Sequence, residues 1–163
     1  MIMDLKYFFN DFFFSLSSNH QLHSCKENFY TIADKKIRNI INNSQLRAGG
    51  NGEIDFGSLN KLIFPFHQMG SINSLHLFGL DEMIIFSYYI KNKHKYFKVA
   101  DIGANIGLHS IIMAKCGWQV NAFEPDPLHC NILLRNLAYN KISNQVNLNK
   151  TAISSKSGRS NFT

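Results

Sequence analysis

The sequence predicts an α/β fold built on a parallel sheet, truncated after its third strand and preceded by a helical extension with a small hairpin. Three observations lead there. Between residues 96 and 150, strand-like and helix-like segments alternate in the order strand, helix, strand, helix, strand, with links short enough to impose right-handed parallel crossovers. The first of these strands runs into a glycine-containing turn, D-I-G-A-N-I-G at 101–107, that opens a helix. The 163 residues, 45% hydrophobic and 17% charged, suffice for one ordinary core, so one domain with an appendage is expected.

Residues 1–47 read as mostly helical. The opening "MIMDLKYFFNDFFFSL" is aromatic but interrupted by Asp4, Lys6, Asn10 and Asp11, and it lacks the basic start and cleavage site of a signal peptide. It reads as an amphipathic helix packed on the rest of the chain, with a membrane-surface role as the alternative. In "ADKKIRNIINNSQL", Ile37, Ile40 and Ile41 recur at helical spacing. The "AGGNGE" stretch (48–53) is a turn-rich breaker; no Lys-Ser/Thr follows it, which excludes a nucleotide P-loop. "EIDF" (53–56) and "KLIFPF" (61–66) suit a hairpin whose second strand ends near Pro65. His67 and His76 lie outside metal-ligand spacing, and no metal site is expected. The extension is drawn over residues 1–79 and the parallel-sheet domain over 80–163.

Asp81 is placed as the cap of a helix reaching about Ile90, with Ile84, Ile85, Tyr88 and Tyr89 as its apolar positions. "YFKVAD" (96–101) is a short buried-type strand. "GLHSIIMAKC" follows as a helix with Leu108, Ile111, Ile112 and Cys116 inward, ended by Gly117. "WQVNAFE" (118–124) alternates as the second strand. Asp126 and Pro127 then open a helix, as cap and first-turn proline, with Leu128, Ile132, Leu133 and Leu137 on its inner side. "QVNLNK" (145–150) alternates as the third strand.

The glycine turn has a chemical reading. At the carboxyl end of a first parallel strand, backbone amides can approach a ligand next to a helix N-terminus. Gly103 and Gly107 remove Cβ atoms that would obstruct this approach, Ala104 is small, and Asn105 tolerates a positive φ. Asp101 ends the strand at the same crevice. Glu124, at the tip of the second strand, is suited to accept two hydrogen bonds from a ribose diol, and Pro125 holds it extended. On this reading Glu124→Ala weakens ligand binding and barely affects folding. A nicotinamide dinucleotide is the lesser candidate, because G-x-G-x-x-G wants glycine where the chain has Asn105 and Leu108.

At "VADIGANIGLHSIIMA", "VNAFEPDP", the L-x-x-N-L-x-x-N spacing of Leu133, Asn136, Leu137 and Asn140, and "AISSKSG", the chain resembles the class I S-adenosylmethionine-dependent methyltransferases of the FkbM type. The resemblance covers roughly residues 78–163. It implies a Rossmann-like sheet and methyl transfer from S-adenosylmethionine to an oxygen of a small molecule or saccharide. Carried over, Asp101, Gly103, Ala104, Asn105 and Gly107 line the methionine part of the cofactor. Glu124, with Pro125 and Asp126, serves the ribose, and Ala152 with Ile153 lies near the adenine. It also implies further strands, so that a downstream segment or partner chain is expected to complete the sheet, and residues 1–163 alone are not expected to catalyse transfer. No catalytic base can be named; His109, just after the turn, reads as a packing or capping residue.

The net charge of +6 is mostly Lys spread along the chain, with one local run, "KNKHKYFK" (91–98), that reads as a solvated loop rather than an anion-binding patch. Without an interleaved aromatic RNA-binding motif, no nucleic-acid partner is expected. Cys25, Cys116 and Cys130, odd in number and without C-x-x-C spacing, suit reduced thiols in a cytoplasmic setting. No apolar run is long enough for a membrane span. A non-catalytic remnant that keeps the half-fold stands beside the enzyme reading.

Overall fold

The computed structural model describes residues 4–156 and Gly158. Two helices come first, α1 (Leu5–Ser18) and α2 (Asn28–Asn42). Asp4 caps α1 by accepting from the Lys6 amide at 3.0 Å. Phe9, Phe13 and Leu16 form its buried stripe, while Ala33, Ile37 and Ile41 form that of α2. The expected hairpin is present but shorter, β1 (Glu53–Asp55) against β2 (Lys61–Ile63), and Pro65 lies just past its end. A second hairpin, β3 (Gln68–Met69) and β4 (Ile72–Asn73), turns at Gly70 and was not predicted.

Helix α3 (Leu80–Lys91) corrects two expectations. Its cap is Gly79, and the side chain that accepts the Leu80 amide is Asp34 of α2, at 3.0 Å. Asp81 instead sits in the first turn and accepts the Tyr30 hydroxyl at 2.6 Å. The buried stripe is Leu80, Met83, Phe86 and Ser87, not the expected set; Ile85 and Tyr88 are exposed. Phe56, between the hairpin strands, joins the helices: its ring lies 4.5 Å from Phe9, 5.4 Å from Phe13 and 6.2 Å from both Phe78 and Phe86.

The parallel unit follows in the expected order: β5 (Lys98–Ile102), α4 (Leu108–Lys115), β6 (Gln119–Phe123), α5 (Pro127–Tyr139) and β7 (Val146–Asn149). The sheet order is β5-β6-β7, all parallel, with Val99 opposite Val120 and Val120 opposite Val146. Local signals explain the boundaries. Gly117, at φ 94°, ends α4: its amide bonds Ala114 O at 2.8 Å and the Trp118 amide bonds Met113 O at 3.3 Å, a Schellman pair. Asp126 caps α5 by accepting from Leu128 N at 2.7 Å and His129 N at 3.1 Å, with Pro127 in the first turn. Leu128, expected inside, is exposed; Ile132, Leu133 and Leu137 are buried.

One face of the sheet, through Val120, Ala122 and Val146, is buried under the crossovers. On the other, Lys98, Ala100, Ile102, Gln119 and Asn121 are exposed. Parallel sheets are ordinarily covered on both faces. Among the described residues, β5 is also an unpaired edge.

Candidate functional site

The site is assembled at the carboxyl ends of β5 and β6. The β5 chain leaves the ladder at Gly103 (φ 77°), passes Asn105 in the left-handed region (φ 50°) and enters α4 through Gly107 (φ 92°). Two amides continue the sheet past its formal end, Gly103 N and Ala104 N donating to Phe123 O at 2.9 and 3.0 Å. Ala104 and Ile106 are buried and anchor the turn from beneath, while Gly103 stays exposed. Helix α4 receives no side-chain cap at Gly107.

The two glycines serve different ends. A Cβ at Gly103 would meet nothing within 4 Å, so that position combines a left-handed φ with open space. A Cβ at Gly107 would sit 2.8 Å from Leu133 Cγ. The absence of a side chain at Gly107 therefore lets α5 close against the turn; it does not open room for a ligand, which corrects the reading made from the sequence.

Glu124 is the hub. Its side chain is buried, with Oε2 accepting the Asn105 amide at 2.8 Å and Oε1 accepting the Asp126 amide at 2.9 Å. His129 Nδ1 lies 4.0 Å from the same Oε1. One carboxylate thus ties the tip of β5 to the tip of β6 and the start of α5. Each oxygen holds one backbone donor and keeps a second lone pair. The expectation that Glu124→Ala leaves folding untouched does not survive this geometry, because two backbone amides would lose their acceptor. Asp126 is occupied as the α5 cap, and the two amides that it accepts, His129 first and then Leu128, hold its carboxyl below the usual carboxylate range.

Asp101, one residue before the strand end, accepts the Ser110 hydroxyl at 2.5 Å, which ties β5 to α4. Asn136 of α5 donates to Ile106 O at 2.9 Å and so holds the back of the turn. Asn140, one turn on, binds Ile63 twice, accepting its amide at 3.1 Å and donating to its carbonyl at 2.6 Å. Neither asparagine had a role assigned from the sequence; their four-residue spacing was the only signal. Together they clamp the glycine turn and the β1–β2 hairpin onto one helix.

The sequence-assigned residues Asp101, Gly103, Ala104, Asn105, Gly107, Glu124, Pro125 and Asp126 are therefore brought together. Ala152 and Ile153 are exposed in the irregular segment past β7. One polar atom in the turn, Asn105 Oδ1, is buried and has no hydrogen-bond partner among the described residues.

His109 is a packing residue. Its Nε2 lies 2.7 Å from Glu82 Oε2 and its Nδ1 3.1 Å from the Tyr89 hydroxyl, while its ring packs 5.2 Å from that of Phe86. A carboxylate only accepts, so Nε2 donates to Glu82. Both nitrogens are engaged between α3 and α4, and His109 presents no free base. Burial first, then the charges of Asp101 and Glu82, push the Tyr89 hydroxyl up to about 12.

No group of three or more His, Cys, Asp or Glu able to hold a metal occurs among the described residues, and no described helix is long and apolar enough to cross a membrane. Comparison with models of known families, with curated proteins and with solved structures gives no match.

Proposed function

We propose that the β5–β7 unit binds S-adenosylmethionine as part of a methyltransferase of the class I, FkbM-like type, acting on an oxygen of a small molecule or saccharide. The observation that supports this most is the joining of the two strand tips: Glu124, at the end of β6, reaches the Asn105 amide of the glycine turn at 2.8 Å. A turn with open space at Gly103, an orphaned Asn105 oxygen and an acid on the neighbouring strand suit a ligand with an amino-acid end and a ribose. Asp101, Gly103, Ala104 and Asn105 would hold the methionine part, with Gly107 letting the turn close on α5. Glu124, with Pro125 and Asp126, would serve the ribose through its remaining lone pairs, and Ala152 and Ile153 would lie beside the adenine. When bound, the cofactor supplies an activated methyl group for an acceptor oxygen. The chain's own contribution is to fix the two strand tips against each other and to position the ligand.

The free edge of β5 and the uncovered sheet face support a further strand and cover, supplied by another segment or a partner chain. Three unpaired thiols, two of them buried, suit a cytoplasmic setting.

Calorimetry on the 163-residue chain tests the cofactor. S-adenosylhomocysteine should bind more tightly than NAD, and Gly103→Val should abolish that binding while the far-ultraviolet dichroism stays unchanged. Tighter binding of NAD, or no binding of either ligand, rejects the reading.

A further inference from the structure

We infer that the outer face of α1 and α2 is a homodimer interface, in which the α1 helix of each copy seats in the α1–α2 groove of the other. Both helices rest on the core and stand apart, leaving a groove of about 470 Å³. One wall is Phe8, Asp11, Phe12 and Ser15 of α1; the other is Phe29, Ile32, Ala33 and Lys36 of α2. Each set follows the spacing i, i+3, i+4, i+7, so each wall is one continuous face of its helix.

The same molecule carries the matching ridge. Tyr7 and Phe14 of α1 are 69% and 73% exposed. At about 100° per residue they project nearly opposite the buried Phe9, Phe13 and Leu16. They are seven positions apart, about 10.5 Å along the helix, and the end residues of each groove wall have the same separation. A ridge directed away from the core and a groove directed sideways beside it interlock when two copies approach about a two-fold axis. Each α1 then lies between the α1 and α2 of the other copy. Such a contact is self-complementary, as an isologous interface requires.

Charge selects a second copy over a lipid surface. Asp11 lies between Tyr7 and Phe14 and has no ion-pair partner among the described residues. Lys36 stands on the opposite wall, its ammonium 5.0 Å from the centre of the Phe8 ring. Seating α1 in the groove brings Asp11 of each copy toward Lys36 of the other, once on each side of the axis. An anionic membrane would instead favour a basic helix. The Asp4–Ser18 segment carries two acids and one lysine and α2 one acid, two lysines and one arginine, so the face is mixed in sign rather than uniformly basic.

Analytical ultracentrifugation of the 163-residue chain over a concentration series tests the inference. The chain should dimerise, and Phe14→Glu should leave a monomer with unchanged dichroism, since that side chain is exposed. Asp11→Lys and Lys36→Asp should each weaken the dimer roughly tenfold or more, each change acting twice per dimer, and the double charge swap should restore most of the affinity. Three outcomes overturn it: a monomer at all concentrations, a dimer indifferent to Phe14→Glu (as from pairing at β5), or charge swaps that fail to compensate. Binding to phosphatidylglycerol vesicles, lost in Phe14→Glu without any wild-type dimer, would assign the face to a membrane and equally overturn it.

Discussion

The helical layer of residues 5–91 and the parallel unit of residues 98–149 are held by different forces. In the first, aromatic rings do most of the fixing: Phe56 touches rings from α1, α3 and the segment before α3, and the ion pairs among the described residues there, Arg38–Asp34 and Lys61–Glu53, are partly exposed. In the second, single polar groups pin backbone at chosen points. Glu124 holds two amides and Asn136 holds the Ile106 carbonyl, while Ser110 and Asp101 join side chain to side chain and Asn140 reaches across to Ile63 of the first region. Burial of apolar area is non-directional, whereas a hydrogen bond to a buried backbone group fixes one geometry. The helical layer has such contacts too, Asp34 to the Leu80 amide among them, but in the unit that carries the candidate site they gather at the strand tips.

The most forceful way to break this comparison is Phe56→Ala. Phe56 is fully buried among four other rings, so truncation removes its transfer energy and leaves a cavity, about 3–5 kcal/mol in all. Denaturant unfolding should show that loss. A change below about 1 kcal/mol would mean that the helical layer re-collapses and that its order does not rest on this cluster.

Next in size is Gly107→Ala. A left-handed φ of 92° and a Cβ 2.8 Å from Leu133 Cγ should together cost about 2–3 kcal/mol. Gly103→Ala shares the backbone cost but meets nothing, so about 1 kcal/mol is expected there. Melting temperatures of the two variants sharpen the comparison: equal losses would show that α5 does not press on the turn.

The polar pins come third. Asn136→Ala leaves Ile106 O without its side-chain donor, and Glu124→Gln turns an amide NH₂ toward one of two backbone N–H donors; each should cost about 1–3 kcal/mol. Amide hydrogen exchange should show the turn at 103–107 opening more readily in both variants while α1 and α2 keep their protection. Uniform loss of protection across both regions would show that the pins serve global stability and not the local geometry of the turn.

This division also explains what could be read from the sequence. The strands and helices of the parallel unit were legible because their stops are local: Gly117 for α4, Asp126 with Pro127 for α5, and alternation in β6. The glycine turn and Glu124 were legible as a pair for the same reason, since each marks a strand tip. Their partners were not, because Asn136 meets Ile106 across 30 residues and Asn140 meets Ile63 across 77. Helix α3 was misread because it is apolar nearly all round. Met83, Ile84, Ile85, Phe86, Tyr88 and Tyr89 offer several stripes, and packing against α1 selects among them. Its cap was misplaced because the acceptor, Asp34, comes from 46 residues away.

The smallest effect lies where the two regions meet, at Tyr89 of α3 and His109 of α4. Burial and the nearby Asp101 and Glu82 charges push the Tyr89 hydroxyl up to about 12 from an ordinary value of 10.0. The unfolded chain therefore sheds this proton from about pH 10, whereas the folded chain keeps it until about pH 12. Stability that is fully present below pH 10 is lost as pH rises through that window. Tyr89→Phe removes this contribution and should flatten the alkaline loss by about 1 kcal/mol or less once solvent screening of a half-buried group is allowed for. At neutral pH the same substitution should cost about 0.5–1.5 kcal/mol, the hydrogen bond to His109 Nδ1. Urea titrations of both proteins below pH 9 and again near pH 11 separate the two effects. If wild type and Tyr89→Phe lose stability in parallel as the pH rises, the junction does not hold that proton, and the helical layer and the parallel unit meet there through ring packing and the His109–Glu82 contact.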